Sequence, residues 1–246
     1  MEVLNGKAGQ SEYEAVISRG LLKSVPEMLK ERFSKSRFAL ISDYNVWGYY
    51  GKPFSAALEA ADLRYDVITE PPGEGSKSID TYADVLSRLA KLEYSRSDVI
   101  AALGGGVVGD LAGFAAATYL RGVRYAQIPT TLLAQIDSSV GGKTAINLPE
   151  GKNLAGAFYQ PCAVYIDTSL LATLKPSDFA DGMAEMIKYA LIKDKSMIKT
   201  LEQHTISASS PMLEALIKRC LEIKRDIVAA DERDKGERML LNFGHT

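Results

Sequence analysis

VIAALGGGVVGDLAGFAAATYL, residues 99–120, decides the fold. Read as one apolar stretch it tempts a membrane-spanning helix, but Asp110 and five glycines break it. It divides instead into a short β-type run, a glycine turn and a helical run of small residues. Gly104, Gly106 and Gly109 satisfy GxGxxG in the context that a phosphate-cradling helix start needs, after a strand and before a helix. The motif alone is not specific. The ordinary dinucleotide fingerprint also wants an acidic residue about 20 positions later, where this chain has Arg121 and Arg124. Asp43, ending an earlier apolar run, is the better candidate for a ribose hydroxyl, with Glu74 and Lys77 of PPGEGSK beside it. The bland alternative, that Asp43 starts a helix and the glycines only turn the chain, carries equal weight on the motif itself.

Outward from this stretch the first half alternates β-type runs and helical patterns, the mark of an α/β unit with parallel strands. Tyr13 to Ile17 opens it. Leu21, Leu22, Val25, Met28 and Leu29 recur at helical spacing, and Phe38 to Ile41 reads as a strand. A helix follows Asn45, Tyr65 to Thr69 is a further strand, and Ile79 to Leu92 is a helix with Val85, Leu86 and Leu89 inward. Asp98 to Leu103 is the next strand. After about Thr168 the β-type runs stop, and 177–193, 195–204 and 211–230 read as helices. The expectation is α/β, with a Rossmann-like domain over 1–168 followed by an all-α domain over 169–246. No flexible linker separates them, so a cleft between the two is the default site.

Composition narrows the function. A chain of 246 residues, 46% hydrophobic and 24% charged, is globular. Lys and Arg total 29 against 31 Asp and Glu, with no basic block to follow a phosphate backbone, so nucleic acid is not an expected partner. Cys162 and Cys220 form neither a disulfide framework nor a CxxC pattern, and the first residues hold no basic-then-apolar leader; a reducing cytoplasm is expected.

Polar residues cluster in IPTTLLAQIDSSVGGKTAIN, where Thr130, Thr131, Asp137, Ser138, Ser139 and Lys143 sit among small residues that let a backbone approach a ligand. A solvated loop is the plain alternative. Lys152 and Asn153 follow, and with Lys143 and Arg121 they could converge on a phosphorylated acid. Glu185 and Lys188, three apart, share a helix face, where a surface salt bridge is the commoner reading. The same holds for Lys224 and Arg225. His204 has no companion, whereas His245, flanked by glycine, is a candidate metal ligand.

Taken together, GGGVVGDLAGFAAATYLRG, IPTTLLAQIDSSVGGKTAIN, GKNLAGAFYQP, GMAEMIKYALI and RMLLNFGHT resemble the 3-dehydroquinate synthase family in order and spacing, over nearly the whole chain. The resemblance implies NAD as cofactor, a zinc or cobalt ion and a homodimer. It implies conversion of 3-deoxy-D-arabino-heptulosonate 7-phosphate to 3-dehydroquinate and phosphate. Asp43, Asn45, Glu74, Lys77, Gly105, Gly106, Val107, Asp110, Thr130 and Thr131 match NAD positions, with Lys152 bordering cofactor and substrate. Asp137, Lys143, Asn153, Lys188, Lys224, Arg238 and Asn242 match substrate positions, and Lys143, Lys188, Lys224, Asp234, Arg238 and Asn242 are the implied catalytic set. Arg121 matches an arginine lent to the neighbouring subunit's phosphate pocket. Glu185 and His245 match two of three metal ligands.

Two departures from the family follow. Asp234 stands where the family has a glutamate, one methylene longer. Family members also continue past His245 to a third ligand histidine and further helices, so this chain is expected to be a truncated form with little activity alone. The alternatives are a related sugar-phosphate cyclase or polyol dehydrogenase, and a non-catalytic chain that binds NAD or dimerises.

Overall fold

The structure is a computed structural model and describes every residue except Gln10, Arg233, Lys235, His245 and Thr246. Its strands are β1 (Glu2–Ala8), β2 (Ser11–Ile17), β3 (Phe38–Asp43), β4 (Tyr65–Glu70), β5 (Val99–Gly104), β6 (Arg124–Pro129), β7 (Lys143–Leu148), β8 (Gly151–Phe158) and β9 (Ala163–Ile166). Its helices are α1 (Val25–Arg32), α2 (Tyr44–Ala60), α3 (Ile79–Lys91), α4 (Gly106–Thr118), α5 (Pro176–Lys193), α6 (Lys195–Gln203) and α7 (Leu213–Ala230). The residues that suggested strand, loop and helix are β5 and α4.

β5 is buried at every position, because helices cover both faces of the sheet around it, and its sequence is correspondingly apolar without alternation. The sheet order is β1-β2-β9-β6-β5-β3-β4. Every neighbouring pair is parallel except β1 with β2. From β3 the chain moves outward to β4, returns across β3 to β5, and then moves the other way to β6. The order therefore reverses between β3 and β5, the place where open α/β sheets leave a crevice beyond the strand ends.

One face of the sheet is sealed by Leu29, Phe54 and Leu58 from α1 and α2, the other by Val85, Leu89, Leu111 and Ala115 from α3 and α4. Each fully buried large side chain contributes roughly 1.5–3 kcal/mol. Leu86, expected inward, is only partly buried and packs at the margin. The small residues of α4 have a steric purpose. A Cβ at Gly113 would approach the Tyr125 hydroxyl to 3.1 Å and would overlap the Thr144 methyl, so α4 lies close against both the sheet and β7.

Two features depart from the sequence reading. β1 precedes the strand taken as the first and makes an antiparallel hairpin with β2, so the sheet is not wholly parallel. Residues 143–158, read as a polar, small-residue segment, form a separate antiparallel hairpin, β7 with β8. The helices after β9 bury Met186, Tyr189, Ile217 and Leu221 in a core shared with Tyr13 and Ile17 of β2 and Val164 of β9. Among the described residues no helix is long and apolar enough to cross a membrane.

Candidate functional site

The reversal between β3 and β5 opens a cavity of about 750 Å³. Asp43 ends β3, and its Oδ1 accepts from the backbone N–H of Asn45 and Val46, both at 2.9 Å, capping α2. The bland and the functional readings of Asp43 are thus compatible, since the residue caps a helix and also lines the cavity. Gly105 precedes α4 without a side-chain cap, and Gly105, Gly106 and Val107 line the cavity, which puts the positive end of the helix dipole at its wall. Gly105 and Gly106 are tight: a Cβ at the first would come 2.9 Å from the Thr131 methyl, and at the second 3.1 Å from Ser138 Oγ. Asn45, Glu74, Lys77, Val107, Asp110, Thr130 and Thr131 complete the expected nucleotide set, and all line this cavity. Lys152, on β8, is exposed and lies outside it.

A neighbouring cavity of about 680 Å³ shares Asp110, Asp137 and Ser138 with the first. Lys143, Asn153, Glu185, Lys188, Lys224, Asp234, Arg238 and Asn242 all line it. The surface reading of Lys188 and Lys224 fails. Lys188 and Glu185 form an ion pair with side chains only 7% and 11% exposed, and Lys188 Nζ also donates to the Leu241 carbonyl. Lys224 Nζ lies 2.7 Å from both Asp137 Oδ1 and the Asp137 carbonyl. A buried ammonium survives only with such partners. Arg225, by contrast, pairs with its neighbour Asp226 near the surface.

The charges tune one another. Burial alone would raise the Asp137 carboxyl, but Lys224, the Tyr189 hydroxyl and Lys188 outweigh it and hold the group below the usual carboxylate range. Burial lowers Lys224, with Asp137 opposing. Asp110 is pushed above its ordinary value by burial, which Lys77 at 2.7 Å only partly offsets. Arg238 reaches across to the Gly141 carbonyl at 2.8 Å and the Glu232 carbonyl at 2.5 Å. Gly141 has φ +89°, and a Cβ there would sit 2.8 Å from the Arg238 guanidinium, so glycine is required twice over. Lys143 and Asp234 pair across the mouth.

Arg121 lines neither cavity. It is exposed, with φ +66° beside Leu120 at φ +50°, a turn of consecutive left-handed residues. His245 lies outside the described residues. Among the described residues no group of three His, Cys, Asp or Glu could hold a metal ion. His204 is exposed just past the end of α6, with Nδ1 3.1 Å from the Thr200 carbonyl.

Two contributors were missed in the sequence. Tyr189, fully buried, donates to Asp137 Oδ1 at 2.5 Å; it follows Lys188 directly and so carries no helical-face signal. Ser138, noted only as one polar residue among several, lies on the wall common to both cavities, and its Oγ has no hydrogen-bond partner among the described residues.

Two solved structures are similar to this one over nearly the whole chain. A 2-deoxy-scyllo-inosose synthase complexed with carbaglucose-6-phosphate, NAD+ and Co2+ superposes with TM-score 0.90 at 27% identity, over 99% of this chain and 68% of that one. The 2-epi-5-epi-valiolone synthase of Streptomyces hygroscopicus, with NAD+ and Zn2+ bound, gives 0.89 at 29% identity, over 97% and 67%. The fold is that of the sugar-phosphate cyclase class. Within it, residues 67–181 match the family model for the 3-dehydroquinate synthase N-terminal region and residues 182–246 that for its C-terminal region. The 3-dehydroquinate synthase of Clostridium acetobutylicum is 47% identical over 249 residues, covering all of this chain and 69% of that protein. The chain belongs to the 3-dehydroquinate synthase family.

Proposed function

We propose that the chain carries the 3-dehydroquinate synthase reaction, conversion of 3-deoxy-D-arabino-heptulosonate 7-phosphate to 3-dehydroquinate and inorganic phosphate, with NAD in the larger cavity and the sugar acid in its neighbour. The observation that supports it is the convergence of Lys143, Lys188, Lys224 and Arg238 on a cavity that shares Asp110, Asp137 and Ser138 with the crevice at the sheet reversal. We assign residues 1–168 to nucleotide binding and residues 169–246 to the substrate and metal half.

NAD fits the crevice. The uncapped start of α4 suits a diphosphate, Asp43 Oδ2 a ribose hydroxyl, and Asn45, Glu74, Lys77, Gly105, Gly106, Val107, Asp110, Thr130 and Thr131 the remaining contacts, while Lys152, outside the cavity, is given no contact. Bound NAD supplies a hydride acceptor and later returns the hydride. Lys143, Lys224 and Arg238 hold the phosphate and carboxylate and stabilise charge as the phosphate leaves. Asp137, Asn153 and Asn242 orient the hydroxyls, Lys188 fixes the reacting end, and Asp234 is the nearby carboxylate for moving a proton. Glu185 and His245 are the residues we assign to a divalent metal. The described residues alone do not form a complete metal site, so no step is derived through it. Arg121, exposed and outside both cavities, fits delivery to a second copy's phosphate pocket, and the reading includes a homodimer and a reducing cytoplasm.

The test combines NAD titration with phosphate release from the heptulosonate phosphate in the presence of Zn2+ or Co2+. NAD binding together with phosphate release is expected. Turnover of sedoheptulose 7-phosphate or glycerol in place of the heptulosonate phosphate would move the chain to another cyclase or to a polyol dehydrogenase. Failure to bind NAD at all would overturn the reading.

A further inference from the structure

The hairpin β7–β8 contains an irregularity that the proposed reaction leaves without a purpose. Ile146 pairs with Ala155 and Leu148 with Gly151, so three residues, Lys152 to Leu154, stand opposite the single residue Asn147. Asn147 is tied on all sides. Its backbone N–H donates to the Lys77 carbonyl at 2.7 Å, its Nδ2 to Glu74 Oε1 at 2.7 Å, and its Oδ1 accepts from the Asn153 N–H at 2.8 Å. Asn153 sits at φ +57°, a left-handed conformation that asparagine tolerates, and its N–H is held there by Asn147 Oδ1. Lys77 Nζ closes the ring by donating to Asn153 Oδ1 at 2.6 Å.

Glu74 and Lys77 line the nucleotide cavity and Asn153 lines its neighbour, whereas Asn147 lies outside both. We propose that Asn147 is a positioning residue that couples the two cavities, so that a ligand settling against Glu74 and Lys77 fixes Asn153 for the second ligand, and the reverse. The inference rests on the functional reading above. Only a carboxamide has a donor and an acceptor at the two ends of one short side chain. Aspartate keeps the shape and the acceptor but turns a negative charge on Glu74, and alanine removes both ends.

Coupling is a ratio of affinities and is reciprocal, which makes it separable from stability. The assay is calorimetric titration of NAD in EDTA, which prevents turnover, with and without saturating 3-deoxy-D-arabino-heptulosonate 7-phosphate. In the unaltered chain the sugar acid is expected to tighten NAD by at least about fivefold, the lower end of ordinary coupling. In Asn147→Asp and Asn147→Ala the ratio should fall to about one. Asn147→Asp carries the test if the alanine variant does not fold. A merely structural role would weaken each ligand and leave the ratio intact, and that result overturns the proposal. So does a ratio of one in the unaltered chain while NAD still binds, an outcome that leaves the functional reading standing. Absence of NAD binding by the unaltered chain removes both.

Discussion

Replacing Lys77 by methionine keeps most of the buried stem and deletes a charge that sits 2.7 Å from Asp110 Oδ2 and 2.6 Å from Asn153 Oδ1. Asp110, already raised by burial, then loses its main compensating neighbour. Removing one partner of a buried pair costs about 3–5 kcal/mol, but the carboxyl can escape by taking up a proton. Protonating a group whose unfolded value is about 3.9 costs roughly 4 kcal/mol at pH 7 and roughly 1.5 kcal/mol at pH 5, at 1.36 kcal/mol per unit. These figures cap the electrostatic part of the loss. The lost bond to Asn153 adds about 1 kcal/mol at either pH. The sign follows from linkage: a carboxyl raised in the folded state leaves stability whole below about pH 3.9 and erodes it as pH rises toward the folded value. Urea unfolding of Lys77→Met should therefore show a deficit of at most about 5 kcal/mol at pH 7 that shrinks to at most about 2.5 kcal/mol at pH 5, and Asp110→Asn added to it should recover most of the pH-dependent part. A deficit constant across that range, or one that grows toward acid, would refute the reasoning.

Tyr189→Phe removes the hydroxyl that holds Asp137 at 2.5 Å; a loss of about 1.5–3 kcal/mol is expected by calorimetry, together with weaker binding of the heptulosonate phosphate, and unchanged values for both would dismiss the contact. Asp194 caps α6 through the N–H groups of Ser196 and Met197 and receives Arg219, and the Ser196 hydroxyl followed by Arg219 holds its carboxyl well below the usual range. Asp194→Ala should cost about 1 kcal/mol near neutral pH, a deficit that fades as pH falls below about 3.9 because the contribution of a depressed carboxyl is lost in acid; thermal melting against pH reads it directly.

What the sequence made legible follows from which residues could signal. β5 and α4 were readable because an apolar run, a glycine turn and a small-residue helix differ sharply in pattern. β1 was not, because its inward positions are Leu4, Gly6 and Ala8, two of them too small to make an alternation visible. The β7–β8 hairpin hid for a related reason: β8 buries none of its residues fully, and β7 turns Thr144 and Ile146 inward among polar neighbours. The candidate site was legible as a set of residues through the family motifs, while its electrostatics were not. Lys188, Lys224 and Arg238 have the composition of solvated helix faces, and their burial is made tolerable by the Leu241, Asp137 and Gly141 carbonyls, brought in from distant segments, together with the Glu185 and Asp137 carboxylates.

Asp43 imposes a constraint on anyone who would redesign the nucleotide preference of this fold. Admitting a phosphorylated ribose would ordinarily begin by deleting the acidic residue at the end of β3, yet one oxygen of that carboxylate already caps the first turn of α2. An alanine there exchanges charge repulsion for a frayed helix, at about 1 kcal/mol, whereas serine or asparagine relieves the repulsion and keeps the cap. The route to altered cofactor choice runs through residues that can still begin a helix.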